Sequence, residues 1–142
     1  MSFDLAIINS DLNLLPNGDI KTVSDTEKLR QDVLKIILTP LGSNIFHSWY
    51  GCPITDNVIG KNLPDNITSL EIQSTITDSL ERLKALQIQQ STSQNVSLAE
   101  LINIVGEVVV ARSNEDLRQL RIDIAIHTRR LTVIQETFTL II

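Results

Sequence analysis

An α+β fold is expected from three features of the sequence. Residues 24–89 carry apolar side chains at helical spacing, residues 105–142 alternate or run β-branched, and the helices precede the strands instead of interleaving with them. The expected order is an N-terminal arm or hairpin, two main helices plus a short one, and a three-stranded antiparallel sheet packed on the long helix. A chain of 142 residues suits one domain that buries roughly two thirds of the surface its unfolded form exposes. The parts are expected to be an arm over 1–23, helices and an irregular loop over 24–90, and a short helix and sheet over 97–142.

The arm opens with two short apolar runs, Leu5 to Ile8 and Leu12 to Leu15, followed by Asn17-Gly18. Both of those residues tolerate positive φ, so a hairpin turn is expected there. Three capping boxes then follow. Ser24-Asp25-Thr26-Glu27 opens a helix with Leu29, Val33, Ile36 and Ile37 on one stripe, and Pro40 ends it near Leu38. Thr68-Ser69-Leu70-Glu71, with Ile67 and Ile72 as a hydrophobic staple, is expected to open a long helix reaching about Gln89, with Ile72, Ile76, Leu80 and Leu83 inward. Ser97-Leu98-Ala99-Glu100 predicts one short helical turn. In the last third, Leu120, Ile122, Ile124 and Ile126 share one face of a strand, and Arg121, Asp123 and His127 the other. The short connections at 113–116 and 128–130 predict a meander.

Composition excludes several functions. A net charge of −5 leaves no basic face for phosphates, so no nucleic acid is expected. No apolar run approaches the ~20 residues that span a bilayer, and no membrane partner, small molecule or cofactor is expected. One cysteine fits a reducing compartment, and the acids near the start do not fit a secretory signal, so the protein is expected to remain where it is made or in something built there.

The stretch "NGDIKTVSDTEKLRQDVLKIILTPLGSNIFHSWYG", residues 17–51, resembles the W-type baseplate wedge family of contractile phage tails, which also supplies a subunit to type VI secretion machines. The matching pieces are Asn17-Gly18-Asp19, the capped helix with Gln31, Leu38-Thr39-Pro40-Leu41-Gly42, and an aromatic followed by Tyr50-Gly51. The helix-then-sheet order extends the resemblance over nearly the whole chain. It implies a structural, non-enzymatic subunit of the virion tail baseplate, assembled in the host cytoplasm. Its implied partners are other wedge subunits and the tail sheath protein, with the tail tube as a further candidate neighbour. It also implies sheath initiation, in which the first sheath ring adds to the C-terminal sheet by strand exchange. One departure stands out. Family members often carry a Glu-Pro-Arg triplet before the first sheet strand, which helps dock the subunit on its neighbours. Here "SQNVSLAELINIVGEVV" has neither Pro nor Arg, and Glu100 is the candidate for the acid's place.

Two regions are therefore candidate partner-binding sites. Phe46, Trp49 and Tyr50 cluster within five positions of a loop rich in Pro and Gly. Large amphipathic rings are enriched at interface hot spots, although Phe46 and Trp49 could instead plug the aliphatic core. The last strand, represented by Thr132, Ile134, Phe138, Leu140 and Ile142, has neither Lys nor Pro to blunt an exposed edge. It is either central in the sheet or an edge meant for pairing.

Chemistry is the alternative. His47, Cys52 and Asp56 are the constituents of a thiol hydrolase or a metal site, but the loop supplies no group to orient a base and too few metal ligands. A baseplate-associated peptidoglycan hydrolase would need two carboxylates ~5 Å apart. The acids fall mostly at helix caps, in turns or on polar stripes. Only Glu136 interrupts an apolar face.

Overall fold

The computed structural model describes residues 2–142. The N-terminal arm consists of four two-residue strands, β1 (Asp4–Leu5), β2 (Ile7–Ile8), β3 (Asp11–Leu12) and β4 (Thr22–Val23), paired β1 with β4 and β2 with β3. The turn at Asn17-Gly18 forms as expected. Leu14 bridges Ile20, and the Asn17 amide binds the Asp19 backbone and carboxylate at 3.1 and 2.7 Å. A second tight turn sits at Asn9-Ser10, both at positive φ, linking β2 to β3. Such pairs match the twist of a two-residue hairpin.

Helix α1 (Asp25–Leu38) buries Leu29, Val33, Ile36 and Ile37 and stops where Thr39 turns extended before Pro40. Its expected capping box does not form: Asp25 sits at φ 52°, and the Ser24 side chain makes no cap bond. A one-turn helix, α2 (Ile54–Asn57), follows the aromatic loop. Helix α3 runs from Asp65 to Ser93, 29 residues, or roughly 43 Å at the standard rise. It therefore begins three residues before the expected box. Pro64, with a preset φ of −56°, precedes its first turn, and Asp65 places an acid there. Thr68 lies inside the helix, where its hydroxyl bonds back to the Pro64 carbonyl at 3.1 Å. Ile67 is exposed, so no staple forms.

The third box has its reciprocal bonds but no helix. Glu100 Oε2 accepts the Ser97 N–H at 3.1 Å, and Ser97 Oγ accepts the Ala99 N–H at 3.1 Å. The chain instead turns straight into β5 (Ile102–Arg112). The reason is Gln87. This residue continues the α3 stripe of Ile76, Leu80 and Leu83, and is only 5% exposed. Its amide donates to the Glu100 carbonyl at 2.8 Å and accepts the Ile102 N–H at 2.9 Å. Backbone groups that would extend a helix are thereby committed to starting a strand.

Strands β5, β6 (Gln119–Thr128) and β7 (Val133–Ile141) form an antiparallel meander in that order. The inner face of β6, Leu120, Ile122, Ile124 and Ile126, is fully buried. Helix α3 packs on β5, and α1 packs against α3 and β7. β5 slips register twice, between Ile102 and Ile104 and between Val105 and Val108. Gly106 lies in the second slip, where a Cβ would stand 2.6 Å from the Ala125 carbonyl oxygen. β7 pairs with β6 through nine consecutive residues without a break.

Gln87→Leu keeps the volume but strands a buried carbonyl and a buried N–H. Chemical denaturation of this variant is expected to show a loss of about 2–4 kcal/mol. A change under 1 kcal/mol would mean that the bracket contributes nothing to the start of β5.

Candidate functional site

Two surfaces stand out, and each is built by a different device. The first is the aromatic loop, residues 41–51, closed at its base by Gly51. Gly51 sits at φ 121°, and a Cβ there would lie 2.6 Å from the Thr39 carbonyl oxygen and 2.9 Å from that of Pro40. This close approach lets the Cys52 N–H reach the Thr39 carbonyl at 2.8 Å and pairs Pro40 with Cys52 as a parallel bridge. From the other side, Arg82 donates to the Gly51 carbonyl at 2.8 Å and to Ser79 Oγ at 3.0 Å. The tip is organised by Asn44, whose side chain accepts the N–H groups of Phe46 and His47 at 3.0 and 3.3 Å.

This construction presents apolar groups to solvent instead of to the core. Ile45 is 92% exposed, Phe46 89% and Trp49 47%. Packing of Phe46 and Trp49 into the core, one of the two expectations above, does not occur. That place is taken by Cys52, Ile54 and Val58, with Tyr50 half-buried against them. His47, Trp49 and Tyr50 form an aromatic row, with ring centroids 5.3 and 6.2 Å apart. Ile45 was not legible as a surface group, because an isolated Ile reads as core.

The loop's chemistry-bearing residues are dispersed. Cys52 is buried, with its thiol 3.9 Å from the Thr75 carbonyl. Burial pushes that thiol up, against the direction a nucleophile needs. Among the described residues, no three of His, Cys, Asp and Glu converge so as to hold a metal ion. No helix among them is long and apolar enough to cross a membrane.

The second surface is the outer edge of β7, the last strand of the sheet. Its side chains divide by parity. Ile134 is buried, Phe138, Leu140 and Ile142 pack half-buried on the core, and Glu136 points the same way. Thr132 precedes the strand and closes the hairpin, its hydroxyl 2.7 Å from that of Thr128. The backbone divides likewise. Thr128 and Thr132 form a hydrogen-bonded pair, with N–H to carbonyl at 2.9 Å, and the Ile142 N–H reaches the Arg118 carbonyl at 2.9 Å. Alternation along the ladder then commits the even-numbered residues of β7 to β6. Val133, Gln135, Thr137, Thr139 and Ile141 therefore turn both their N–H and C=O groups outward, and the Gln135 carbonyl accepts Arg30 Nη1 at 3.4 Å. The side chains that sequence reasoning proposed as contacts are thus mostly on the core face, and the edge itself consists of backbone.

Glu136, the odd acid on that face, accepts Arg30 Nη1 from α1 at 2.9 Å. No signal in the sequence links residues 106 positions apart.

The arm adjoins both surfaces. Gln31 of α1 accepts the Ile7 N–H at 3.0 Å and donates to the Leu5 carbonyl at 2.8 Å and to Asp4 at 3.1 Å. Lys35 bonds to Asp4 and also faces Asp32. Burial alone would push the Asp4 carboxyl up, but the hydrogen bonds from Lys35 and the Leu5 N–H and the Lys35 charge hold it below 3.8. Burial likewise opposes the charge on Lys35, but its bond to Asp4 and the charges of Asp32 and Asp4 raise it above 10.5.

No protein-family model and no curated protein sequence matches the chain. Among solved structures, it is similar to a protein of Geobacter sulfurreducens that carries the provisional name tail lysozyme. The identity is 18% and the TM-score 0.60, over 82% of this chain and 89% of that one. At that identity the likeness is one of fold.

Two outcomes are expected. Phe46→Ala should leave stability within about 0.5 kcal/mol of the parent, as for exposed sites generally, whereas Gly51→Ala should lower the melting temperature by several degrees. Equal melting curves would show that Gly51 does not close the loop. For the arm, the Asp4 contribution is present above pH 3.8 and is lost as pH falls through the depressed value. Both partners are about a third exposed, so the pair is worth at most about 1 kcal/mol. Amide resonances of residues 4–12 should shift below pH 3.8 before global unfolding, and Asp4→Asn should reproduce the shift at neutral pH. Resonances that move only with the core would show that the pair does not hold the arm.

Proposed function

We propose that this protein is a structural subunit of a contractile-tail baseplate, which docks on neighbouring wedge subunits and receives a strand of the sheath protein along β7. The observation that carries the reading is the contrast between the two edges of the sheet. β5 has two register slips and an acidic side chain, Glu107, in the second. β7 has nine unbroken pairs and five residues whose backbone groups turn outward, of which only the Gln135 carbonyl has a partner, Arg30 at 3.4 Å, and the strand itself has no Lys, Pro or bulge to protect it. A straight, unprotected edge is what strand addition uses. The fold shared with a protein that carries the name tail lysozyme agrees with this reading. The aromatic loop, with Ile45, Phe46 and Trp49 outside, is the surface we assign to the wedge neighbours.

The Geobacter protein's name also raises peptidoglycan hydrolysis. That activity requires a carboxylic acid kept protonated beside a second carboxylate. Asp4 and Asp123 are instead held below the usual range, and Glu136 is bound to Arg30. We therefore favour a non-enzymatic role. A muramidase assay with turnover that disappears in Glu136→Gln would reverse that choice.

The decisive variant is Thr139→Pro. Its N–H faces outward, so proline removes a donor from the free edge and leaves the β6 ladder intact. The parent should capture the sheath subunit encoded in the same genome. Thr139→Pro should capture at least tenfold less, with an unchanged circular dichroism spectrum. Equal capture by both, or none by the parent, would overturn strand addition.

A further inference from the structure

A cleft of about 350 Å³ opens beside the β7 edge on the inner side of the sheet. Ile7, Ile8 and Val23 of the arm line one side, Arg30 and Leu34 of α1 the middle, and Glu136 of β7 the other side. We infer that this cleft is the specificity pocket for the incoming strand, and that it takes one aliphatic or aromatic side chain, the one facing Glu136. The inference rests on the reading of β7 as a paired edge.

The position follows from the ladder. A strand that adds antiparallel to the outward groups of Gln135 and Thr137, displacing Arg30 from its 3.4 Å contact with the Gln135 carbonyl, places a residue opposite Glu136 in a non-hydrogen-bonded pair. In such pairs the side chains lie on the same face and closest together, with Cβ atoms about 5 Å apart. That face is the inner one, where Glu136 borders the cleft. The inner neighbours of this residue, two places along, face Ile134 and Phe138, which already pack on the core. Of these three inner positions, the one opposite Glu136 is the one that borders the cleft.

The chemistry of the occupant follows from the lining. Glu136 is neutralised by Arg30 at 2.9 Å, and the other two charged groups of the lining, Lys21 and Glu27, are of opposite sign, so the cleft as a whole does not call for a counter-charge. Ile7 and Ile8 are exposed, and Val23 and Leu34 are half-buried. These four aliphatic groups gain cover only from an apolar side chain. The arm wall is fixed in advance, because Gln31 holds the backbone at Leu5 and Ile7. Strand addition draws affinity from the backbone and selectivity from pockets of this kind. Burying one large apolar side chain corresponds to roughly ten- to hundredfold in affinity.

The test uses the full chain and the purified sheath subunit of the same genome. Leu34→Trp fills the cleft from α1, and Ile8→Asp places a charge in its wall from an exposed position where the core is untouched. Each should weaken sheath binding at least tenfold with the melting temperature unchanged, and Thr139→Pro reports separately on the edge. Parent-level binding by both cleft variants, with binding lost in Thr139→Pro, would overturn the pocket and leave strand addition standing. Unchanged binding in Thr139→Pro, or no binding by the parent, would remove strand addition and the pocket with it.

Discussion

Four side chains on one face of β6, Leu120, Ile122, Ile124 and Ile126, are buried beneath the helices, and the remaining architecture is arranged around keeping them dry. At the usual value per buried aliphatic side chain they contribute about 6–12 kcal/mol as an upper estimate, which is comparable to the whole stability of a domain this size. A three-stranded sheet can be covered on that face by two helices, and α3 over β5 with α1 against β7 does so. Two helices leave the outer face uncovered, where Arg121 and Asp123 stand among exposed aliphatic groups such as Ile104, Val109, Val133 and Ile141, and both sheet edges without a further strand. The free edge of β7 is thus a consequence of how the core is closed.

What distinguishes the two edges is local. β5 must accommodate the close approach of Ala125 at Gly106 and the turn imposed by Gln87, and each disturbs its ladder. β7 carries neither constraint. Its inner residues alternate Ile134, Glu136, Phe138 and Leu140, with Arg30 satisfying the single charge. A strand can therefore remain regular to its end while its core face stays compatible with packing. Regularity costs protection against unwanted pairing, and at β7 the Arg30 contact to the Gln135 carbonyl offsets only a small part of that cost.

The strands and the end of α1 were legible because each rests on short-range rules: period two over Leu120–Ile126, and a proline at 40. The start of α3 was not. The Thr68 box has the right letters, but Pro64 and Asp65 provide an earlier start, and a proline's preset φ outweighs a hydroxyl cap. The Ser97 box misled in the opposite way, since its hydrogen bonds form while Gln87, distant in sequence, commits the following N–H to a strand. The aromatic loop could be located but not oriented. Whether a Phe points in or out depends on the Thr39–Gly51 closure, which no periodicity encodes. For β7 the apolar letters drew attention to the wrong atoms, because the partner-facing groups of an edge are backbone and every residue type carries them.

The arm applies the same logic with the roles of polar and apolar groups exchanged. Two-residue strands cannot hold themselves together in water, and here burial does little of the holding, since Leu5, Ile7, Ile8, Leu12, Leu14 and Ile20 are all exposed. Order comes instead from polar pins: Gln31 to the backbone of Leu5 and Ile7, and Lys35 to Asp4. Pins of this kind fix the main chain while leaving the aliphatic side chains uncovered. A segment stabilised by its apolar groups would have none to offer. One stabilised by polar contacts to α1 can hold a row of aliphatic groups beside an open strand edge, which places backbone donors and acceptors and an apolar cleft within reach of a single extended partner.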